Sequence, residues 1–163
     1  MEAEPNMKIP LSGGYFALVD AEDYERVSRF AWKASVRKRK DGTVAKVYAQ
    51  RSRRDGGSPM MHRTILGYDG PKMVDHINGD GLDNRKANLR IATRSQNMAN
   101  QQIGLANTSG RKGVTWHRGD RKWQAQIKVS GKMFYVGSFA CIDEAKAAYD
   151  VAAKKHFAEY WRA

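Results

Sequence analysis

The apolar positions of this chain fall into short runs, most too brief or too regularly alternating for long helices, with one sustained helical repeat near the C-terminus. Residues 1–12 read as polar or irregular. Tyr15–Val19 reads as a strand, stopped by Asp20, which is placed to cap a helix over Ala21–Phe30. Glu22 and Asp23 suit its first turn, and Tyr24, Val27 and Phe30/Ala31 repeat at helical spacing. Two β-like runs, Trp32–Arg39 and Thr43–Arg51, flank Lys40-Asp41-Gly42, where Asp-Gly signals a tight hairpin. Its exposed face would carry Arg37, Arg39, Lys46 and Arg51, which fit either a solvated surface or phosphate contact. Gly56–Pro59 breaks the chain before a short helical segment, Met60–Leu66.

Pro71–Val74 predicts a strand that delivers Asp75 and His76 at its end. The stretch from Asn78 to Asn84 holds too much Gly, Asp and Asn for regular structure, and Leu89–Ala92 forms the returning strand. Thr93 and Gln96 make a capping box, so a helix begins at Arg94 and carries Asn97 in its first turns. Residues 104–110 read as a flexible joint. Three strands follow, near 113–118, 122–129 and 133–139, and then an amphipathic helix, Ile142–Phe157, with Ala145, Ala148, Tyr149, Ala152 and His156 on one face. One helix covers one face of a three-stranded sheet. The other face is left open, with Trp116, Arg118, Lys122, Lys128, Lys132 and Tyr135 on or near it.

Composition narrows the partners. At 163 residues, 41% apolar and 28% charged, the chain can form one ordinary domain or two small ones. Its net charge of +12 is spread through RKRK at 37–40, RSRR at 51–54 and RKANLR at 85–90, which favours a polyanion. No apolar run approaches the ~20 residues of a membrane-spanning helix, and the N-terminus lacks a signal-peptide core, so a soluble, non-secreted protein is expected. The single cysteine, Cys141, can form no internal disulfide and suits packing or a helix start.

The chemistry concentrates between Asp75 and Asn97. Asp75 and His76 are adjacent, Asn88 comes twelve residues after the histidine and Asn97 nine after that. A carboxylate and an imidazole brought towards an amide can bind a metal ion and activate water. A calcium loop is excluded, because counting from His76 puts Ala87 where the bidentate glutamate belongs. Zinc fares poorly too: His62, His76, His117 and His156 lack ligand spacing.

MHRTILG, VDHINGDGLDNRKANLR and TRSQN, across about residues 61–100, resemble the HNH nuclease family, specifically its free-standing and intron-homing subgroup with an Asp-His/Asn/Asn core. The resemblance implies His76 as general base and Asp75 and Asn97 as ligands of one divalent metal. It also implies Asn88 as the residue that holds the loop and orients the histidine. A hard oxygen donor set suits Mg²⁺ first and Mn²⁺ second. His62 reads as structural or as a substrate contact, and Arg63, Arg85 and Arg90 as candidates to grip backbone phosphates.

SGRKGVTWHR, KWQAQIKV, GKMFYVGSF and DEAKAAYDVAA resemble the plant Apetala-two (ethylene-response-factor) DNA-binding domain, over roughly 109–158. That family puts its sheet in the major groove, and Lys112, Arg118, Trp123, Lys128 and Tyr135 sit at or near the positions it uses, with Lys122 a further DNA-contact candidate on the open face. Trp123 could equally pack between sheet and helix. The family's second-strand Glu and Arg are here Gln126 and Lys128, and its third-strand Trp is Tyr135, so its target sequence does not carry over.

Together these readings give an α+β protein. A β-hairpin-rich N-terminal region (1–60) leads into a ββα-metal core (61–100), which form one nuclease domain. A linker (101–110) then joins a three-stranded antiparallel sheet packed on one helix (111–163). The expected activity is metal-dependent hydrolysis of double-stranded DNA by a homing-type or phage and mobile-element enzyme, in the cytoplasm of a bacterial or phage-infected cell. A monomer or weak dimer with no protein partner is expected. The competing expectation is a non-catalytic, transcription-factor-like DNA-binding protein.

Overall fold

The computed structural model describes residues 6–52, 57–104 and 106–162. Arg53, Arg54 and Gly56, and Leu105 of the expected linker, lie outside the described residues. The chain is mixed α and β and divides into two compact units, Met1–Ile91 and Ala92–Ala163.

The first unit opens with β1 (Met7–Pro10), antiparallel to β2 (Phe16–Val19), with Ile9 opposite Ala17. This corrects the expectation of an irregular N-terminus. Four residues carry too little alternation to stand out, and the strand exists because β2 pairs with its backbone. Helix α1 (Ala21–Ser28) follows. Asp20 stands at its N-cap position, but its side chain caps nothing there; the carboxylate instead accepts the backbone N–H of Lys86 at 2.7 Å.

Strands β3 (Lys33–Lys38) and β4 (Val44–Gln50) make the expected hairpin, in which Gly42 takes a φ of 83° and the Asp41 carboxylate accepts from the Thr43 N–H and hydroxyl. Helix α2 (Met61–Leu66) ends at Gly67. Arg26 of α1 donates to the carbonyls of Thr64 and Ile65, filling acceptors that a helix C-terminus leaves open. Strands β5 (Met73–His76) and β6 (Leu89–Ala92) pair with each other. The core of this unit gathers Ile9, Ala17, Val19 and Val27 with Trp32, Ala49, Met61, Ile65, Val74 and Leu89.

The second unit begins with the end of β6 and helix α3 (Arg94–Asn100), whose capping box is complete. The Thr93 hydroxyl accepts the Gln96 N–H, and the Gln96 side chain accepts the Thr93 N–H. Strands β7 (Val114–His117), β8 (Lys122–Val129) and β9 (Lys132–Phe139) form an antiparallel sheet in that order, packed on α4 (Ile142–Phe157). The buried stripe of α4 is Ala145, Tyr149, Ala153 and Phe157. It keeps Ala145 and Tyr149 of the expected stripe, with Ala152 packed against the same core, and corrects it at His156. Alanines lie on several faces of this helix, and the two large aromatics decide which one turns inward. His156 is exposed and stacks on Phe134 at 5.9 Å.

Helix α3 is built into this unit. Ala99 belongs to its core, Ser95 Oγ accepts the Ser130 N–H at 3.0 Å, and the Lys112 ammonium donates to the carbonyls of Ala99 and Gln101. Burial pulls the Lys112 amine down to about 8.

Candidate active site and nucleic-acid interface

The loop between β5 and β6 is braced by its own short polar side chains, and this is why it needs so much Asn, Asp and Gly. Asn88 is buried. It accepts the Asn78 N–H at 2.9 Å and donates to Asn78 Oδ1 and to the Asp83 carbonyl. Asn78 also donates to Asp83, and Asp80 accepts the Leu82 N–H. The Asp83 carboxylate takes both Nε and Nη2 of Arg85, and these bonds hold its pKa below the usual carboxylate value. Asn88 therefore fixes the loop, and its side-chain bonds all go to the loop itself.

Two neighbouring elements press this loop into place. Strand β2 donates from Leu18 N to the Leu82 carbonyl and accepts at Leu18 O from Asn84 N, both at 2.8 Å. The carboxylates of Asp20, Glu22 and Asp23 come together around Lys86, which pairs with Glu22 at 2.6 Å and Asp23 at 3.3 Å. On the other side, β4 approaches so closely that a Cβ on Gly81 would lie 2.3 Å from the Val47 carbonyl oxygen and 2.6 Å from the Tyr48 ring. Gly81→Ala must therefore displace backbone. We expect it to destabilise the first unit by about 1–3 kcal/mol, read as a lower urea midpoint; an unchanged midpoint would show that the loop gives way freely.

At the end of β5, Asp75 and His76 are both buried. Asp75 Oδ2 accepts from Nε of Arg90 at 2.9 Å and is ion-paired with its Nη2 at 2.9 Å, so the charge of a buried carboxylate has a cation against it. The His76 ring lies 5.1 Å from the His62 ring and 5.9 Å from the Tyr48 ring. His76 Nε2 is 3.4 Å from Oδ1 of Asn84. Burial lowers the pKa of His76 below its usual value and drives that of His62 down to about 3. Both imidazoles are thereby biased to the neutral form near pH 7.

Tyr48 and Asn84 escaped the sequence reading. Tyr48 comes from a hairpin remote in sequence and carried no signal. Asn84 did carry one, as an amide in a loop with little to pack on. His62, far from His76 in sequence, is brought against it by α2.

The arginines fall into two groups. Arg63 donates to the carbonyls of Tyr68, Gly70 and Lys72, Arg85 is forked onto Asp83, and Arg90 is on Asp75. These three brace the first unit's own loops. Arg39 donates to Thr43 and Val44 within its hairpin. Arg37 is exposed, opposite Lys46 across the β3–β4 pair and 5.6 Å from the Tyr48 ring. Arg37, Lys46 and Tyr48 thus share the hairpin face that meets His76.

In the second unit, register separates the two sheet faces, because directly paired residues point the same way. Val114 pairs with Ala125 and Ile127 with Phe134, on the α4 side. Trp116 pairs with Trp123, 5.1 Å away, on that same side, and Trp123 packs against the core. The open face carries Thr115, His117, Lys122, Gln124, Gln126, Lys128, Met133 and Tyr135, with Tyr135 61% exposed. Arg118 is exposed in the β7–β8 turn, whereas Lys112 is spent on α3.

A family model described as HNH endonuclease matches residues 62–99. The chain as a whole has the architecture of an HNH domain joined to an AP2-type segment. It is 28% identical over 153 residues to an uncharacterized HNH endonuclease of Acanthamoeba polyphaga mimivirus, covering 90% of this chain and 73% of that one. To Protein 3.8 of Escherichia phage T7 it is 36% identical over 59 residues, 36% of this chain and 49% of the phage protein. An AP2-like ethylene-responsive transcription factor of Oryza sativa subsp. japonica is 32% identical over 146 residues, 81% of this chain but 23% of that protein. The chain thus spans about half the length of the phage relative and under a quarter of the plant one. No solved structure matches. Among the described residues, no helix is long and apolar enough to cross a membrane.

Proposed function

We propose that this chain is a metal-dependent DNA endonuclease of phage or mobile-element type. The observation that carries the reading is the buried Asp75-His76 pair at the end of β5, held beside a loop braced by Asn88, inside the stretch that matches the HNH endonuclease family. A neutral imidazole in a rigid setting is the group needed to take a proton from an attacking water. Asp75 and, on the motif alone, Asn97 would hold the divalent cation. A carboxylate and an amide are hard oxygen donors that fit Mg²⁺ or Mn²⁺, and such an ion supplies a Lewis acid for the scissile phosphate.

Double-stranded DNA is the substrate favoured by the +12 charge and by the placement of exposed cations. Arg37 and Lys46 line the approach to His76, and the open sheet face presents Lys122, Gln124, Gln126, Lys128 and Tyr135, with no carboxylate of its own among the strand residues. A two- or three-stranded ribbon fits the major groove, where amide side chains read base edges. Supercoiled plasmid incubated with the folded protein and Mg²⁺ or Mn²⁺ should be nicked or cut, and chelation should stop it. Intact plasmid across several metals and DNA targets would count decisively against the reading.

A further inference from the structure

Asn84 is 1% exposed, and its side-chain oxygen lies 3.4 Å from Nε2 of the His76 imidazole. We infer that Asn84 is the positioning residue of the histidine: its Oδ1 accepts a hydrogen bond from Nε2–H, which makes Nδ1 the unprotonated, basic nitrogen of the ring. The inference deepens the nuclease reading and rests on it for the last step alone.

The orientation of the amide follows from its other bond. Asn84 Nδ2 donates to the Leu82 carbonyl at 3.1 Å, and a carbonyl can only accept. The oxygen of the same amide must then face the ring, and an oxygen facing Nε2 at 3.4 Å requires the proton to be on Nε2. The backbone of Asn84 is also held, by the bond from its N–H to Leu18 O at 2.8 Å, with Leu18 N reaching Leu82 O beside it. Strand β2 thus grips the loop on either side of Asp83, through Leu82 and Asn84. Tyr48 and His62 also flank the ring. A neutral imidazole has one donor and one acceptor nitrogen, so choosing the donor chooses the base. Asn88, which the motif offers for this duty, is occupied in the loop. This arrangement also gives the N-terminal strands a part in the site.

The test is the tautomer of His76 in the full chain, read from imidazole ¹⁵N shifts at a pH where the ring is neutral. The expected result is an Nε2–H ring in the parent, a mixture or the other tautomer in Asn84→Ala, and recovery of the Nε2–H form in Asn84→Asp, which keeps an acceptor oxygen. Plasmid cleavage should fall by about 10- to 100-fold in Asn84→Ala, the range for residues that orient a working histidine, in kcat rather than KM, with partial return in Asn84→Asp. A parent ring protonated on Nδ1 overturns the assignment, and this holds even if the alanine variant does not fold. An unchanged tautomer in folded Asn84→Ala overturns it as well. An Nε2–H parent that cuts no DNA would instead leave Asn84 in its role and remove the nuclease reading.

Discussion

His76→Ala is expected to reduce plasmid cleavage by at least about 100-fold, the lower end of what a positioned general base contributes, while DNA affinity stays close to that of the parent. The ring sits at the end of β5 with Tyr48, His62 and Asn84 around it, so alanine removes the proton acceptor and leaves the exposed cations in place. Initial nicking rates at saturating metal, with a mobility-shift titration alongside, separate the two effects. A variant that cuts as fast as the parent would remove His76 from the mechanism. The pH profile adds an independent reading. Burial lowers the His76 pKa, so the neutral, basic form persists below the usual histidine value and the acid limb of the rate should lie below pH 6.5.

Acid should also weaken the first unit itself, through His62. The unfolded imidazole takes a proton near pH 6.5, whereas the folded one takes it only at about 3, because burial penalises the charged ring and His76 and Arg63 add positive charge nearby. Between those values the unfolded chain binds more protons than the folded one. Stability is therefore complete above about pH 6.5 and falls as pH drops towards 3, by up to about 1.4 kcal/mol for each pH unit. His62→Phe keeps an aromatic ring against Tyr48 and His76 but cannot titrate. Urea midpoints at pH 7.5, 6.0 and 5.0 should show a shallower decline in this variant than in the parent, and parallel declines would place the acid sensitivity elsewhere. The effect is large because it sits in the wall of the site.

Much of this site could be read in one dimension. The Asp75-His76 pair, the irregular loop and the capped helix at Thr93 all follow from local chemistry: a strand that ends in polar residues, amides that bond their own backbone, and a hydroxyl three residues from a glutamine. The β3–β4 hairpin and the C-terminal sheet were legible for the same reason, since turn residues and alternation act over a few positions. Strand β1 was not legible, because a four-residue edge is made by its partner. The inward face of α4 was legible through Ala145 and Tyr149 but not at its end, where Phe157 rather than His156 is buried.

The arginines show where linear reading runs out. Arg63, Arg85 and Arg90 look like phosphate ligands in a basic chain, yet their forks are filled by loop carbonyls, by Asp83 and by Asp75. Charge is visible in a sequence, but the partner that neutralises it is not. Lys112 is a second case, drawn into the end of α3 and partly stripped of water.

The order of polar residues by itself determined where the candidate site lies, which hard donors it offers, and that the chain is strongly basic, a charge that favours a polyanion. These properties belong to residue types and short spacings, which survive in any fold that keeps the segment intact. Only the tertiary structure decided which groups surround His76. Tyr48, His62 and Asn84 arrive from a hairpin, a helix and a loop held by β2, and nothing short of packing could bring the four side chains together. Through that burial, the fold also biases both imidazoles to the neutral form.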